Sequence, residues 1–259
     1  MDIRVGCCGF PMPRAEYYRQ FPVVEIQQTF YNLPRIHTAE RWRKEAISSR
    51  ARSGQGDFEF TMKAWQLITH ETASPTYRRL RKAIPEDQRE LYGSFRPTEP
   101  VLKAWTETAA VAHALGARAI VFQCPPRFTP TPEHVENLRR FFRSADRGSF
   151  RMVWEPRGEW PPSLVGRLCK ELDLVHVVDP LKQVPQSTGL RYFRLHGVTG
   201  YRYLHTDEDL RKLAEHCAGD APTYVLFNNQ FMGEDALRFQ KLLVRPTLRL
   251  LRSARQRRV

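Results

Sequence analysis

The segment FRMVWEPRGEW, residues 150–160, changes character halfway along. Its first half is apolar, β-branched and aromatic, the composition of a strand covered on both faces. It then delivers Glu155, Pro156 and Arg157 in succession, and the proline has no N–H with which to continue a ladder. Burying a carboxylate and a guanidinium at the end of a core strand is costly unless each meets a partner or a ligand. Once, such an ending is a rim ion pair. Repeated along the chain, it marks a site.

It is repeated. Seven further runs have the same form: IRVGCC (3–8), VVEIQQTF (23–30), FEFTMKA (58–64), AIVFQC (119–124), LVHVVD (174–179), LRYFRLH (190–196) and TYVLFN (223–228). Helical patterns lie between them: HTAERWRKEAI, PTEPVLKAWTETAAVAHALG, TPEHVENLRRFFRSA, PPSLVGRLCKEL, TDEDLRKLAEHC and GEDALRFQKLL. Thr131 is placed as an N-cap with Pro132 at the first helical position. Strands alternating with helices of this length indicate βα units and a parallel sheet. Eight units in 259 residues predict an α/β fold, a (β/α)8 TIM barrel in a single domain over 1–244. The arginine-rich stretch 245–259 reads as a basic C-terminal tail. Two irregularities stand out. The connection PLKQVPQSTG between the sixth and seventh strands is too short and proline-rich for a full helix. Residues 70–98 form a long insertion after the third strand, on the side where barrels carry lids and substrate-gripping loops.

Composition supports a folded chain, with 41% hydrophobic and 11% aromatic residues. The formal charge of +13 points to an acidic partner, nucleic acid or a phosphorylated small molecule. No signal-peptide pattern and no apolar run of about 18–20 residues is seen, so a soluble, cytoplasmic protein without membrane contact is expected. Five cysteines without C-x-x-C spacing argue against a disulfide framework. Cys7 and Cys8 are adjacent on a strand and should point to opposite faces. H-E-x-x-H, Walker, G-x-G-x-x-G and G-x-S-x-G motifs are missing.

In such a barrel the active site is built at the C-terminal strand ends. There the sequence places Glu25, Gln28 and Tyr31 after the second strand, Lys63 and His70 after the third, and Gln123 after the fourth. Glu155 and Arg157 follow the fifth strand, Asp179 the sixth, Arg194 and His196 the seventh, Asn228 and Asn229 the eighth. Glu155, Asp179, His196 and Lys63 are the candidate catalytic groups, the acids also suited to a divalent cation such as Mg²⁺ or Mn²⁺. Glu25, Gln28, Tyr31, His70, Gln123, Arg157, Arg194, Asn228 and Asn229 are candidates for substrate binding, with arginine matched to phosphate or carboxylate. Structural roles stay open beside these: a rim ion pair for Glu155 and Arg157, an Asx turn for Asp179, a core position for His196.

The succession VGCCGF, VEIQQTFYNLP, FTMKAWQLITH, VFQCPPRF, WEPRGEW, VVDP, YFRLHG and VLFNN resembles the domain of unknown function 72 family. The matches run from about residue 5 to 239. The resemblance implies a (β/α)8 barrel, akin to the metal-dependent barrels that include sugar isomerases and apurinic endonucleases. It sets Glu25, Thr29, Tyr31, Lys63, His70, Gln123, Glu155, Arg157, Arg194, His196, Asn228 and Asn229 on motif positions. The Cys-Cys pair and Pro156 depart from the commoner pattern. The dense His, Glu and Asp set of a three-metal nuclease is missing, so a zinc cluster is not expected.

Together these features predict an enzyme acting on a phosphate-containing substrate, a nucleic-acid phosphodiester above all, with hydrolase favoured over isomerase. A sugar or sugar-phosphate isomerase, epimerase or hydrolase is the alternative. A non-catalytic nucleic-acid binder using residues 70–98 and the C-terminal tail is the third.

Overall fold

The computed structural model describes residues 2–256, with side chains through residue 244. Eight strands, β1 (Ile3–Cys8), β2 (Val23–Ile26), β3 (Glu59–Lys63), β4 (Ala117–Gln123), β5 (Arg151–Glu155), β6 (Val175–Val178), β7 (Arg191–Leu195) and β8 (Thr223–Phe227), form a closed barrel in sequence order. Every neighbouring pair is parallel, and closure is made by β1 on β8, from Ile3 opposite Thr223 to Cys7 opposite Phe227. Around them, among the described residues, run α1 (Arg14–Gln20), α2 (Gln28–Tyr31), α3 (Ile36–Arg52), α4 (Gln66–Thr69), α5 (Glu99–Leu115), α6 (Pro132–Ser144), α7 (Pro162–Leu172), α8 (Asp207–His216) and α9 (Met232–Gln256). The eight expected strands and the fold class hold.

The pleat divides the apolar residues into two cores. Cys8, Val23, Ala119, Val121, Val153, Val177, Tyr192, Tyr224 and Leu226 fill the barrel interior. The larger core, between sheet and helices, takes the opposite faces of the same strands, including Cys7, Val24, Ile120, Phe122, Trp154 and Phe193. Cys7 and Cys8 thus part to opposite sides, as strand geometry requires, and all five cysteines are buried and free.

Two sequence assignments need correction. The second strand stops at Ile26, and the remainder of its run becomes α2. Thr29 causes this turn: its hydroxyl donates to Ile26 O at 3.0 Å or Lys63 O at 2.7 Å and so competes with the ladder. Helix α1 is absent from the sequence reading. It spans seven residues and buries only Tyr17 and Tyr18, too short for a period of 3.6 to declare itself.

The insertion at 70–98 carries two 3₁₀ turns, Pro75–Arg79 and Glu86–Leu91, and is docked rather than free. Gly93 N donates to Leu67 O and Phe95 N to Ile68 O, both at 2.9 Å. Gly93 has φ of 81°, and a Cβ there would lie 2.4 Å from the His70 backbone, so glycine alone fits. Phe95, also at positive φ (54°), is buried against Phe122, Phe128, Phe141 and Phe142, and that packing offsets its backbone strain. The connection from β6 to β7 has no helix, as expected; His176 accepts from Gln186 N at 3.1 Å and donates its N–H to Ser187 at 2.9 Å to hold it. Helix α9 crosses position 244, and the side chains of the expected 245–259 tail lie outside the described residues. Among the described residues no helix is long and apolar enough to cross a membrane.

Candidate functional site

Strand alternation aims every second residue of β2, β3, β4, β5 and β7 into the barrel, and at their C-terminal ends those residues are polar. Arg194 on β7 is the centre. Its Nη1 hydrogen-bonds Glu155 on β5 and, at 3.1 Å, Gln123 Oε1 on β4. Its Nη2 lies 3.0 Å from Glu25 Oε1 on β2, an ion pair without hydrogen-bond geometry. The guanidinium is 1% exposed and spans two carboxylates from opposite walls. Glu25 takes further bonds from Gln27 Nε2 and, at 2.8 Å, from Tyr192 OH, which is itself 2.7 Å from the Thr61 hydroxyl.

Glu155 faces outward as well. Its Oε1 accepts from Arg157 Nε at 3.0 Å and stands 4.0 Å from His196 Nε2. Burial alone would raise its pKa, but Arg194, Arg157, His196 and Lys63 outweigh that and pull it to about 2. Arg157 Nη2 in turn lies 2.7 Å from His196 Nε2. His196 Nδ1 is 3.1 Å from the Arg194 carbonyl, which only accepts, so Nδ1 carries the proton and Nε2 accepts from Arg157. Burial and then Arg194 lower this imidazole to about 4, so it is neutral at pH 7.

Lys63 ends β3 with its ammonium 3.1 Å from Gln123 Oε1 and 3.9 Å from the Phe30 ring centre. Burial, reinforced by Arg194, lowers it to about 7 despite Glu25 and Glu155. Phe30 links this interior to the rim. Its ring meets His70 edge-on at 4.8 Å and Tyr31 at 5.0 Å, and Arg79 of the insertion lies 3.6 Å over Tyr31. Asn32 fixes that insertion from both sides, donating to Arg79 O and accepting from Arg81 N, each at 2.8 Å.

Of the residues singled out from sequence, Glu25, Lys63, Gln123, Glu155, Arg157, Arg194 and His196 form one connected cluster. His70 is buried beside it; its Nδ1 meets the Thr69 hydroxyl at 2.8 Å, and burial lowers it to about 3. Tyr31 sits on the rim. Asp179 makes the Asx turn, accepting from Leu181 N at 3.1 Å and, more weakly, from His196 N at 3.4 Å, so it braces the histidine through its backbone. Burial raises its pKa. Gln28 is exposed on α2, and Asn228 is partly buried, its backbone N–H bonded to Leu195 O at 2.8 Å.

Asn229 belongs to a different cluster. Its amide bonds Tyr203 O and Asp235 Oδ2, both at 2.7 Å, and Asp235 also takes His205 Nδ1 at 2.7 Å. His205 and Asp235, which tie α9 to the loop before α8, were not singled out, because neither sits at a strand end. Tyr192 and Thr61 were also missed. Tyr192 lies two residues before Arg194, as Thr61 does before Lys63, and that same-face spacing was the available signal.

The cluster does not fit the divalent cation considered from sequence. Among the described residues no three His, Cys, Asp or Glu side chains converge as a metal cradle. Between the two site carboxylates, where a cation would bridge them, stands the Arg194 guanidinium.

Fold and cluster together define a parallel (β/α)8 barrel protein with a preassembled ionic site at its C-terminal mouth. The chain belongs to the family described as protein of unknown function DUF72, whose model matches residues 13–256. A DUF72 family protein from Enterococcus faecalis V583 is 23% identical with a TM-score of 0.66, covering 93% of this chain and 97% of that one. A xylose isomerase domain containing protein from Salmonella typhimurium LT2 gives 14% identity and a TM-score of 0.56, covering 96% and 97%. A family 2 AP endonuclease from Brucella melitensis gives 11% and 0.50, covering 88% and 93%. At these identities the likeness shows a shared barrel fold. None of the curated proteins matches the chain.

Proposed function

We propose that the protein is an enzyme acting on a phosphate-bearing sugar, in the first place breaking a phosphodiester in nucleic acid. The observation that supports this is a file of basic side chains and aromatic rings leading into the mouth. It begins on the docked insertion, where Arg79 is held over Tyr31, and reaches Lys63 through Phe30. Arg78, Arg81 and Lys82 flank the same turn, and the net charge of +13 draws polyanions toward it.

Within the mouth the two arginines have separate tasks. Arg194 is buried and committed to Glu25 and Glu155, so it organises the site. Arg157 has a side chain 35% exposed and one carboxylate partner, which leaves its outer guanidinium edge for phosphate oxygens. Glu155 is ionised at neutral pH and fixes Arg157 beside His196. His196 is neutral at pH 7 and its Nε2 accepts from Arg157, so it positions that guanidinium and does not act as a general acid. The barrel fold shared with an AP endonuclease is consistent with this chemistry.

A sugar-phosphate isomerase or epimerase is the second reading, favoured by the depth of the cluster. Glu25 is 0% exposed and Tyr192, Thr61 and Gln123 offer hydroxyl and amide partners that suit a small polyol. Incubating the protein with labelled single-stranded, duplex and abasic oligonucleotides separates the two. Cleavage lost in Glu155→Gln supports phosphodiester chemistry. No cleavage that depends on Glu155 overturns it, and turnover of free sugar phosphates instead establishes the second reading.

A further inference from the structure

Lys63 is a buried basic group whose surroundings do not suit an ammonium ion. The residue is 6% exposed, and among the described residues no carboxylate lies within 4.0 Å of its Nζ. The two acids nearest in the field, Glu25 and Glu155, are engaged by Arg194 and Arg157. Among the described residues Gln123 Oε1 is the one oxygen bonded to Nζ, at 3.1 Å, and it is shared with Arg194 Nη1 at the same distance. The Phe30 ring covers another side at 3.9 Å. An ammonium has three N–H donors to satisfy, whereas a neutral amine donates to Gln123 and keeps a lone pair. A lysine desolvated beside fixed cations is the arrangement that makes an amine nucleophilic.

Taking the sugar-phosphate substrate proposed above as its starting point, we propose that Lys63 forms an imine with the carbonyl carbon of a ring-opened sugar phosphate. The amine lone pair adds to the carbonyl carbon while one amine proton passes to the carbonyl oxygen, giving a carbinolamine. The hydroxyl then leaves with the second amine proton as water, and the C=N bond forms. No oxidant or further reactant enters. Arg157, paired with Glu155, holds the phosphate while the carbonyl reaches Lys63. Burial lowers Lys63 to about 7, which makes free amine accessible at neutral pH. Free aldose phosphates and the aldehydic deoxyribose of an abasic nucleotide share this chemistry.

Reductive trapping tests it. The protein at pH 7 is treated with cyanoborohydride and either ribose 5-phosphate or a single-stranded oligonucleotide carrying one abasic site, and adducts are mapped by peptide mass spectrometry. Lys63 is expected to be modified at least about ten-fold faster than any surface lysine, with no adduct at that position in Lys63→Arg. Reaction with both probes points to the shared sugar aldehyde; reaction with one identifies the source. No adduct at Lys63, or adducts spread evenly over surface lysines, overturns the proposal. Probe affinity measured by titration calorimetry in parallel separates the two levels. Retained binding without trapping removes the imine alone, whereas no binding of either probe removes the sugar-phosphate substrate with it.

Discussion

Arg194 on β7 holds Glu155 on β5 in a hydrogen-bonded ion pair inside the barrel mouth, and the same guanidinium closes on Glu25 from β2. Three strands are thus joined through one side chain. Removing one partner of a buried pair leaves an uncompensated charge at a cost of about 3–5 kcal/mol. Arg194→Met is therefore expected to lower the unfolding free energy in urea by that order. Adding Glu25→Gln and Glu155→Gln to it should restore part of the loss. A loss under about 1 kcal/mol for the single change would contradict the buried network.

Lys63 gives a pH signature. Its folded pKa, about 7, lies below the ordinary lysine value of 10.5, so between those two values the unfolded chain binds the extra proton. Stability then rises with pH across that window, by at most about 1.4 kcal/mol per pH unit from this group. Glu25, Glu155, Arg157, Arg194 and His70 face the amine; of these, Glu155 and His70 are lowered to about 2 and about 3, and Arg194 is raised, so those three lie outside the window. Lys63→Met removes the titrating group, so relative to wild type it should be most stabilised below pH 7 and lose that advantage toward pH 10. Parallel denaturation curves from pH 6 to 10 measure it; a pH-independent difference refutes it.

His196 should titrate near 4 and carry its neutral-form proton on Nδ1, because Nε2 accepts from Arg157. Nitrogen-15 NMR of labelled histidine reads both properties. A midpoint above 6, or a proton on Nε2, would contradict this assignment.

The turn Pro75–Arg79 and the residues just after it supply positive charge from outside the core, whereas Phe95 anchors the insertion to the barrel. Charge reversal at Arg78, Arg79 and Arg81 should weaken oligonucleotide binding and reduce the steepness of its salt dependence by about one log unit per lost phosphate contact. Melting should shift little, since these side chains are not in the core. Unchanged affinity and slope would remove the insertion from the binding face.

The barrel was legible because its strands are apolar on both faces and end abruptly in polar residues, as FRMVWEPRGEW does. Boundaries were legible only where a chemical stop exists: Thr131 caps α6 by accepting from His134 N at 3.1 Å. Where a side chain competes for a carbonyl, as Thr29 does, the strand gave way to a turn that composition does not announce. Seven site residues were legible from strand ends alone. Their division of labour was not, because it depends on cross-barrel distances. Arg157 and Arg194 look equivalent in sequence, yet one is enclosed by two carboxylates and the other opens outward. Asn228 and Asn229 show the opposite limit, since adjacent residues past a strand end point to different clusters.

The central claim is that the mouth receives a sugar phosphate at Arg157. Calorimetric titration of ribose 5-phosphate into wild type and Arg157→Ala tests it most directly. Wild type should bind at one site and the variant at least about ten-fold more weakly, the loss of a charged hydrogen-bonded contact. Equal affinities, or no binding of either ribose 5-phosphate or an abasic oligonucleotide to wild type, would contradict the account.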